Sequence, residues 1–180
     1  RGYRVVNSPE EFYEHFEGMN VTVQEYLIGV RVYPHYFYSP LSKEGYRASE
    51  GKLEMMGIDR RFESNIDEAY RTEIVGLSFT PSFTVVGNEL FVARESLLED
   101  IMAMGKNVAE TADRLFGGIP GPFCIETICD ENLQFFAFEI SARIVAGTNI
   151  YPQGSPYTAY LYDEPMSSFL PFLKTICSPF

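Results

Sequence analysis

The chain has 180 residues, 46% hydrophobic and 22% charged, enough for one domain with a core or for one domain plus part of another, and too apolar for a disordered segment. Lys plus Arg number 14 against 25 for Asp plus Glu, a net charge of −11 at pH 7. That acidity points away from nucleic acid and anionic membranes as partners, since both call for a basic surface.

No apolar run is long enough to span a bilayer, and no signal-peptide pattern opens the chain. A starting Met is missing, so an upstream part is expected. The three cysteines Cys124, Cys129 and Cys177 form no CxxC pair and find no histidine cluster, which argues against zinc or a disulfide framework and for a reducing, cytoplasmic compartment.

Arg1-Gly2-Tyr3 leads into the β-prone Arg4-Val5-Val6. A helix is predicted from Ser8, which caps it; Pro9 suits the first helical position, Glu11 completes a capping box, and Gly18 ends the helix after Glu17. His15 falls on that helix as an inert surface residue. Val21 to Gly29 reads as a strand running into a connection, either an ordinary core strand or one whose unpaired backbone groups meet the edge of a purine. Val30 to Pro40 is an aromatic strand with period-two alternation, carrying Tyr33, His35, Tyr36, Phe37 and Tyr38. Such strands are core, although His35 could instead face a ligand.

Lys43 to Lys52 is polar and reads as a hairpin loop, Leu53 to Ile58 returns as a strand, and Asp59-Arg60-Arg61-Phe62-Glu63-Ser64-Asn65 follows. Its two guanidiniums suit phosphate or carboxylate, or else a solvated salt-bridge network. Ile66 to Pro81 is expected to be mostly loop, and Ser82–Val86 with Glu89–Ala93 a hairpin turning at Gly87-Asn88. Glu95 to Phe116 is the longest predicted helix, with Leu97, Leu98, Ile101, Met104, Val108, Ala112 and Leu115 on one stripe and Gly117-Gly118 ending it.

The segment Phe123 to Asn149 carries the chemistry. Phe123–Ile128 and Gln134–Ile140 are β-prone runs about the turn cluster Asp130-Glu131-Asn132, a second hairpin. In a simple register Glu126 and Glu139 emerge on one face, close together, and two carboxylates in an apolar frame repel unless a cation lies between them. A hard divalent ion that keeps some water and holds phosphate oxygens fits such a pair. Arg143 and Asn149 add a cation and an amide beside it, and Tyr151 to Tyr157 is a loop expected next to the site. Strand pairs with one long helix argue for an α+β domain with a largely antiparallel sheet.

The strings FEISARIVAGTN, YPQGSPY, GIDRRFESN, QEYLIG and PHYFYSP resemble the carboxy-terminal part of the archaeal formate-dependent FAICAR synthetases, ATP-grasp ligases of purine (IMP) biosynthesis, from Arg1 to Tyr157. The resemblance implies that residues 1–180 are the carboxy-terminal ATP-grasp part, with the amino-terminal domain and most of the glycine-rich phosphate loop lying outside this chain. The implied reaction is formylation of AICAR, the ribonucleotide of aminoimidazole carboxamide. Formate and ATP are consumed through formyl phosphate, and ADP and phosphate are released. Mg²⁺ or Mn²⁺ would be required, and a homo-oligomer is expected.

Matched residue by residue, the resemblance implies that Glu126 and Glu139 bind metal, that Glu25, Tyr26 and Leu27 form the hinge that meets adenine, that Glu63 contacts nucleotide and that Asn88 contacts AICAR. Arg1-Gly2-Tyr3 is similar to the tail of the phosphate loop. Local chemistry adds Arg143 as the catalytic charge stabiliser, Asn149 as a further metal ligand and His35 as a substrate contact. Ser141 stands where ATP-grasp proteins often carry a metal-binding Asn, and residues 158–180 depart from the family. A ligase with another carboxylate or amine, or a paralogue that binds nucleotide without turnover, are the alternatives.

Overall fold

The structure is a computed structural model that describes residues 4–41, 47–48, 51–65, 82–160 and 166–167. Arg1-Gly2-Tyr3, the predicted loop from Ile66 to Pro81 and most of residues 158–180 lie outside the described residues.

Helix α1 spans Pro9–Phe16 and starts as the sequence dictates, with the Glu11 amide donating to Ser8 Oγ at 3.2 Å and the Asn7 amide to Glu11 Oε2 at 3.0 Å. Its turn ends at Gly18, whose φ of 76° suits a residue without Cβ. The strands are β1 (Val30–Ser39), β2 (Arg47–Ala48), β3 (Gly51–Glu63), β4 (Val85–Leu90), β5 (Gly121–Cys129) and β6 (Phe135–Ser141). They form one antiparallel sheet in the order β2-β3-β1-β5-β6, with β4 also paired to β3. Together with helix α2 (Leu98–Phe116) this is the α+β architecture expected.

Alternation along the strands gives the sheet two unlike faces. On one, Val32, Tyr36, Leu53, Ile58, Phe123 and Ile125 pack with Ile101 and Ala109 of α2 into the main core. Tyr36 stacks on Phe123 with ring centres 5.0 Å apart, and its hydroxyl donates to the Ile101 carbonyl at 2.6 Å. Gly105 lets the helix approach so closely that a Cβ there would lie 2.5 Å from the Tyr36 ring. The other face carries Tyr33, His35, Asp59, Arg61, Cys124 and Glu126. It is covered by Val145 and by a 3-10 turn at Ala146–Ile150, where Gly147 passes hard against Asp59.

Three expected elements differ. Arg4-Val5-Val6 forms no strand. Val21 to Gly29 is not a strand either: it is irregular as far as Ile28, and Val21, Val23 and Ile28 are exposed, because no described strand lies alongside to pair with the segment. Gly87-Asn88 is not a turn. Both sit inside β4, with Asn88 opposite Arg61 and Gly87 opposite Phe62. Long-range pairing with β3 has overridden a favourable turn dipeptide.

Candidate active site

The hairpin of β5 and β6 sets Glu126 directly across from Glu139. It does so without the simple register. From the turn outward the pairs run Cys129 with Phe135, Ile128 with Phe136 and Thr127 with Ala137, and then the ladder shifts so that Glu126 meets Glu139 and Phe138 has no opposite residue. Unshifted pairing would have placed Phe138 against Glu126 and sent Glu139 to the other face. The bulge re-aims Glu139, a use of bulges that recurs beside active sites. The displaced Phe138 packs edge-on to Tyr33 at 6.2 Å.

Glu126 is buried and held by a fork: Arg61 Nη1 donates to Oε2 at 2.9 Å and Nη2 to Oε1 at 3.2 Å, while Ser141 Oγ lies 3.4 Å from Oε1. Arg61 lies over the Tyr33 ring, 4.3 Å from its centre. Burial opposes the charge on Arg61, yet Glu126, with Tyr33 and Asp59 behind it, holds the guanidinium's pKa above its ordinary value. Burial likewise pushes the Tyr33 phenol and the Cys124 thiol upward, so both stay neutral.

Arg61 and Glu126 border a cleft of about 330 Å³ that also takes in Asn88, Glu139 and Arg143. Val85, Val145 and Ala146 supply its apolar wall. Four sequence-predicted residues therefore meet in one place: Glu126, Glu139, Asn88 and Arg143. Arg143 is exposed, with Nη1 donating to the Ile144 carbonyl at 3.1 Å. The backbone of Asn149 lies in the 3-10 turn, and its side chain lies outside the described residues.

The predicted nucleotide contacts gather elsewhere along the same strands. Glu63 pairs with Arg31 at 3.0 Å, Arg31 lies 5.9 Å from the centre of the Phe83 ring, and Phe83 meets Tyr26 edge-on at 6.4 Å. Glu25 and Tyr26 are exposed and Leu27 half-buried. Thus Glu63 and Tyr26, the latter expected at the hinge, are linked through Arg31 and Phe83, two residues that the sequence reading did not single out.

His35 does not border the cleft. It is buried, with Nε2 bonded to Asp59 Oδ1 at 2.5 Å and Nδ1 to Thr148 Oγ1 at 3.1 Å. Asp59 is fully buried and takes a second bond from Asn88 Nδ2, again 2.5 Å. Sequence reasoning saw Asp59 only as part of a charged run; an acid flanked by Ile58 and two arginines was the available signal.

Among the described residues no group of three or more His, Cys, Asp or Glu side chains is arranged to hold a metal. The carboxylate pair still fits Mg²⁺ or Mn²⁺, because such an ion commonly takes one or two carboxylates and completes its shell with water and substrate phosphate. A carboxylate has about four lone-pair sites; Arg61 and Ser141 engage three on Glu126, leaving one for an ion shared with the exposed Glu139.

Residues 12–169 match the family described as "Domain of unknown function (DUF1297)". The chain is 49% identical over 163 residues to the 5-formaminoimidazole-4-carboxamide-1-(beta)-D-ribofuranosyl 5'-monophosphate synthetase of Methanococcoides burtonii, covering 88% of this chain and 46% of the relative. It is 45% identical over 181 residues to the protein of that name from Pyrococcus horikoshii, covering 93% and 52%. Among solved structures it is similar to an IMP biosynthesis protein PurP from Thermococcus kodakaraensis, with a TM-score of 0.65 and 28% identity over 84% of this chain and 46% of that one. The α+β fold of the ATP-grasp class expected from the sequence is borne out by this likeness. The chain spans about half the length of the curated relatives it matches.

Proposed function

From the premise that this chain belongs to the DUF1297 family and is similar to FAICAR synthetases over about half their length, we propose that it is the carboxy-terminal ATP-grasp part of a formate-dependent ligase. The enzyme formylates AICAR to FAICAR with ATP and formate in cytoplasmic IMP biosynthesis and works as a homo-oligomer. The observation that carries this reading is the cross-strand pair Glu126 and Glu139, opening on one cleft with Arg61, Asn88 and Arg143.

Formate is a weak electrophile. Transfer of the γ-phosphoryl group of ATP to a formate oxygen gives formyl phosphate and ADP; the AICAR amine then attacks the carbonyl carbon, the bond to the phosphate oxygen breaks, and the amine loses a proton as phosphate departs. Glu126 and Glu139 would hold Mg²⁺ or Mn²⁺, which when bound would supply positive charge to offset that of the phosphates. Arg143 stabilises charge on the transferred group from the cleft mouth. Arg61 keeps Glu126 aimed through its two hydrogen bonds. Asn88 contacts AICAR, and Glu25, Tyr26, Leu27 and Glu63 contact the nucleotide.

The test is ADP release by the full-length protein with MgATP and AICAR, with and without formate, beside Glu139→Gln. Turnover that needs both formate and AICAR and collapses in the variant is expected; turnover that needs another carboxylate or amine would redirect the assignment. One observation favours a second reading, nucleotide binding without turnover. Arg61 and Ser141 already engage most of Glu126, and Ser141 stands where ATP-grasp proteins often carry Asn. MgATP binding with no ADP under any substrate would select it.

A further inference from the structure

Beneath Asn88 runs a chain of hydrogen bonds through Asp59, His35 and Thr148. The Val145 amide donates to Thr148 Oγ1 at 3.2 Å, and the same oxygen lies 3.1 Å from His35 Nδ1. On its other side the ring meets Asp59, with His35 Nε2 2.5 Å from Oδ1, so that oxygen is engaged by the ring. The second Asp59 oxygen, Oδ2, accepts from Nδ2 of the Asn88 amide. His35 and Asp59 are buried, and a Cβ on Gly147 would collide with the Asp59 carboxylate, so the carboxylate has no room to turn away.

We infer that Asp59, oriented by His35, is a positioning residue that locks the Asn88 amide with its carbonyl oxygen toward the cleft, so that the site selects a substrate group that donates a hydrogen, an amine, carboxamide or hydroxyl, over an acceptor such as a carboxylate. The inference rests on the proposal that AICAR binds at Asn88. It assigns to Asp59 and His35 a task in recognition at a distance from the substrate, and it sets the sign of the contact that Asn88 makes.

Asp59→Asn reverses the polarity at nearly constant shape. Its Oδ1 still accepts from His35, but its NH₂ then faces Asn88, which must flip and offer NH₂ to the cleft. Asp59→Asn combined with Asn88→Asp restores an acceptor to the cleft, because the new carboxylate accepts from the new amide. Calorimetric titration of the full-length protein with AICAR and separately with MgATP reads the effect. Expected is a loss of AICAR affinity of about tenfold or more in the single variant, MgATP affinity unchanged, and recovery in the double exchange. Unchanged AICAR affinity in the single variant, loss of both ligands together, or no recovery in the double exchange would each overturn the inference. Absence of AICAR binding by the unaltered protein would instead strike the functional proposal beneath it.

Should Asp59→Asn not fold, Asn88→Leu keeps the question open to measurement, since it leaves the buried Asp59 and His35 pair in place. The unaltered protein should bind AICAR at least about tenfold more tightly than one of two analogues, one lacking the amine and one with carboxylate for carboxamide. Asn88→Leu should erase that preference. A preference absent from the unaltered protein, or kept in the variant, overturns the inference.

Discussion

Arg61 and Glu126 bind one another with most of their surface out of water, at 15% and 8% side-chain exposure. Removing one partner of such a pair leaves an uncompensated charge, so Arg61→Ala should cost about 3 kcal/mol in urea denaturation. Mn²⁺ should restore part of that loss, because the cation takes over the charge that the guanidinium neutralised. Glu139 is exposed, and Glu139→Gln should change stability by about 0.5 kcal/mol or less while abolishing tight Mn²⁺ binding, read as free Mn²⁺ by electron paramagnetic resonance. The acids and Arg143 were legible because a charge in an apolar run is costly and calls for a reason. Asp59 was not, since a buried acid and a surface acid look alike until their partners, 24 and 29 residues away, are known.

Among the elements, α2 depends on one small residue. An Ala normally stabilises a helix interior relative to Gly by about 1 kcal/mol, but at Gly105 the added methyl would meet the Tyr36 ring, which also anchors the Ile101 carbonyl. Gly105→Ala should therefore be destabilising, by about 1–3 kcal/mol, and lower the melting temperature; a rise would show that the helix can move outward freely. Helix α1, helix α2, β1 and the β5–β6 hairpin could be read from the sequence because their signals are local: a capping box, a 3.6-residue stripe, alternation, a turn cluster. Elements whose state depends on distant partners were misread. Gly87-Asn88 looks like a turn until β3 pairs with it, and Val21 to Gly29 looks like a strand although no described strand adjoins it. The bulge at Glu126 was equally hidden, since neither strand announces it alone.

For the molecule as a whole, the two faces of one sheet divide the labour: α2 seals an apolar core on one side, and the other buries polar groups that hold the cleft. Among the described residues no helix is long and apolar enough to cross a membrane. Burial holds the Cys124 thiol and the Tyr33 and Tyr36 phenols above their ordinary values of 9.0 and 10.0. Their contribution to stability is fully present while the unfolded chain keeps those protons. Above about pH 9 the unfolded chain binds fewer protons than the folded one, so stability must fall as pH rises. Melting temperatures measured from pH 8 to 11 should decline, and Cys124→Ala should make the first part of that decline shallower. The same burial should leave Cys124 unreactive toward iodoacetamide at pH 8 in the folded protein.

The mismatch within the hairpin also bears on how such a site is inherited. Counted outward from the Cys129–Phe135 pair, Glu126 is three residues away on its strand and Glu139 four on the other. Loss of Phe138 would equalise the two counts and keep the acids opposed, at the expense of one aromatic contact with Tyr33. Loss of Thr127 would widen the mismatch to two and part them. A lineage could thus shed a residue from β6 in silence, while a gap of equal size in β5 would extinguish the site with both glutamates still in place. Single-residue deletions at the two positions, compared by Mn²⁺ affinity, should reproduce that asymmetry.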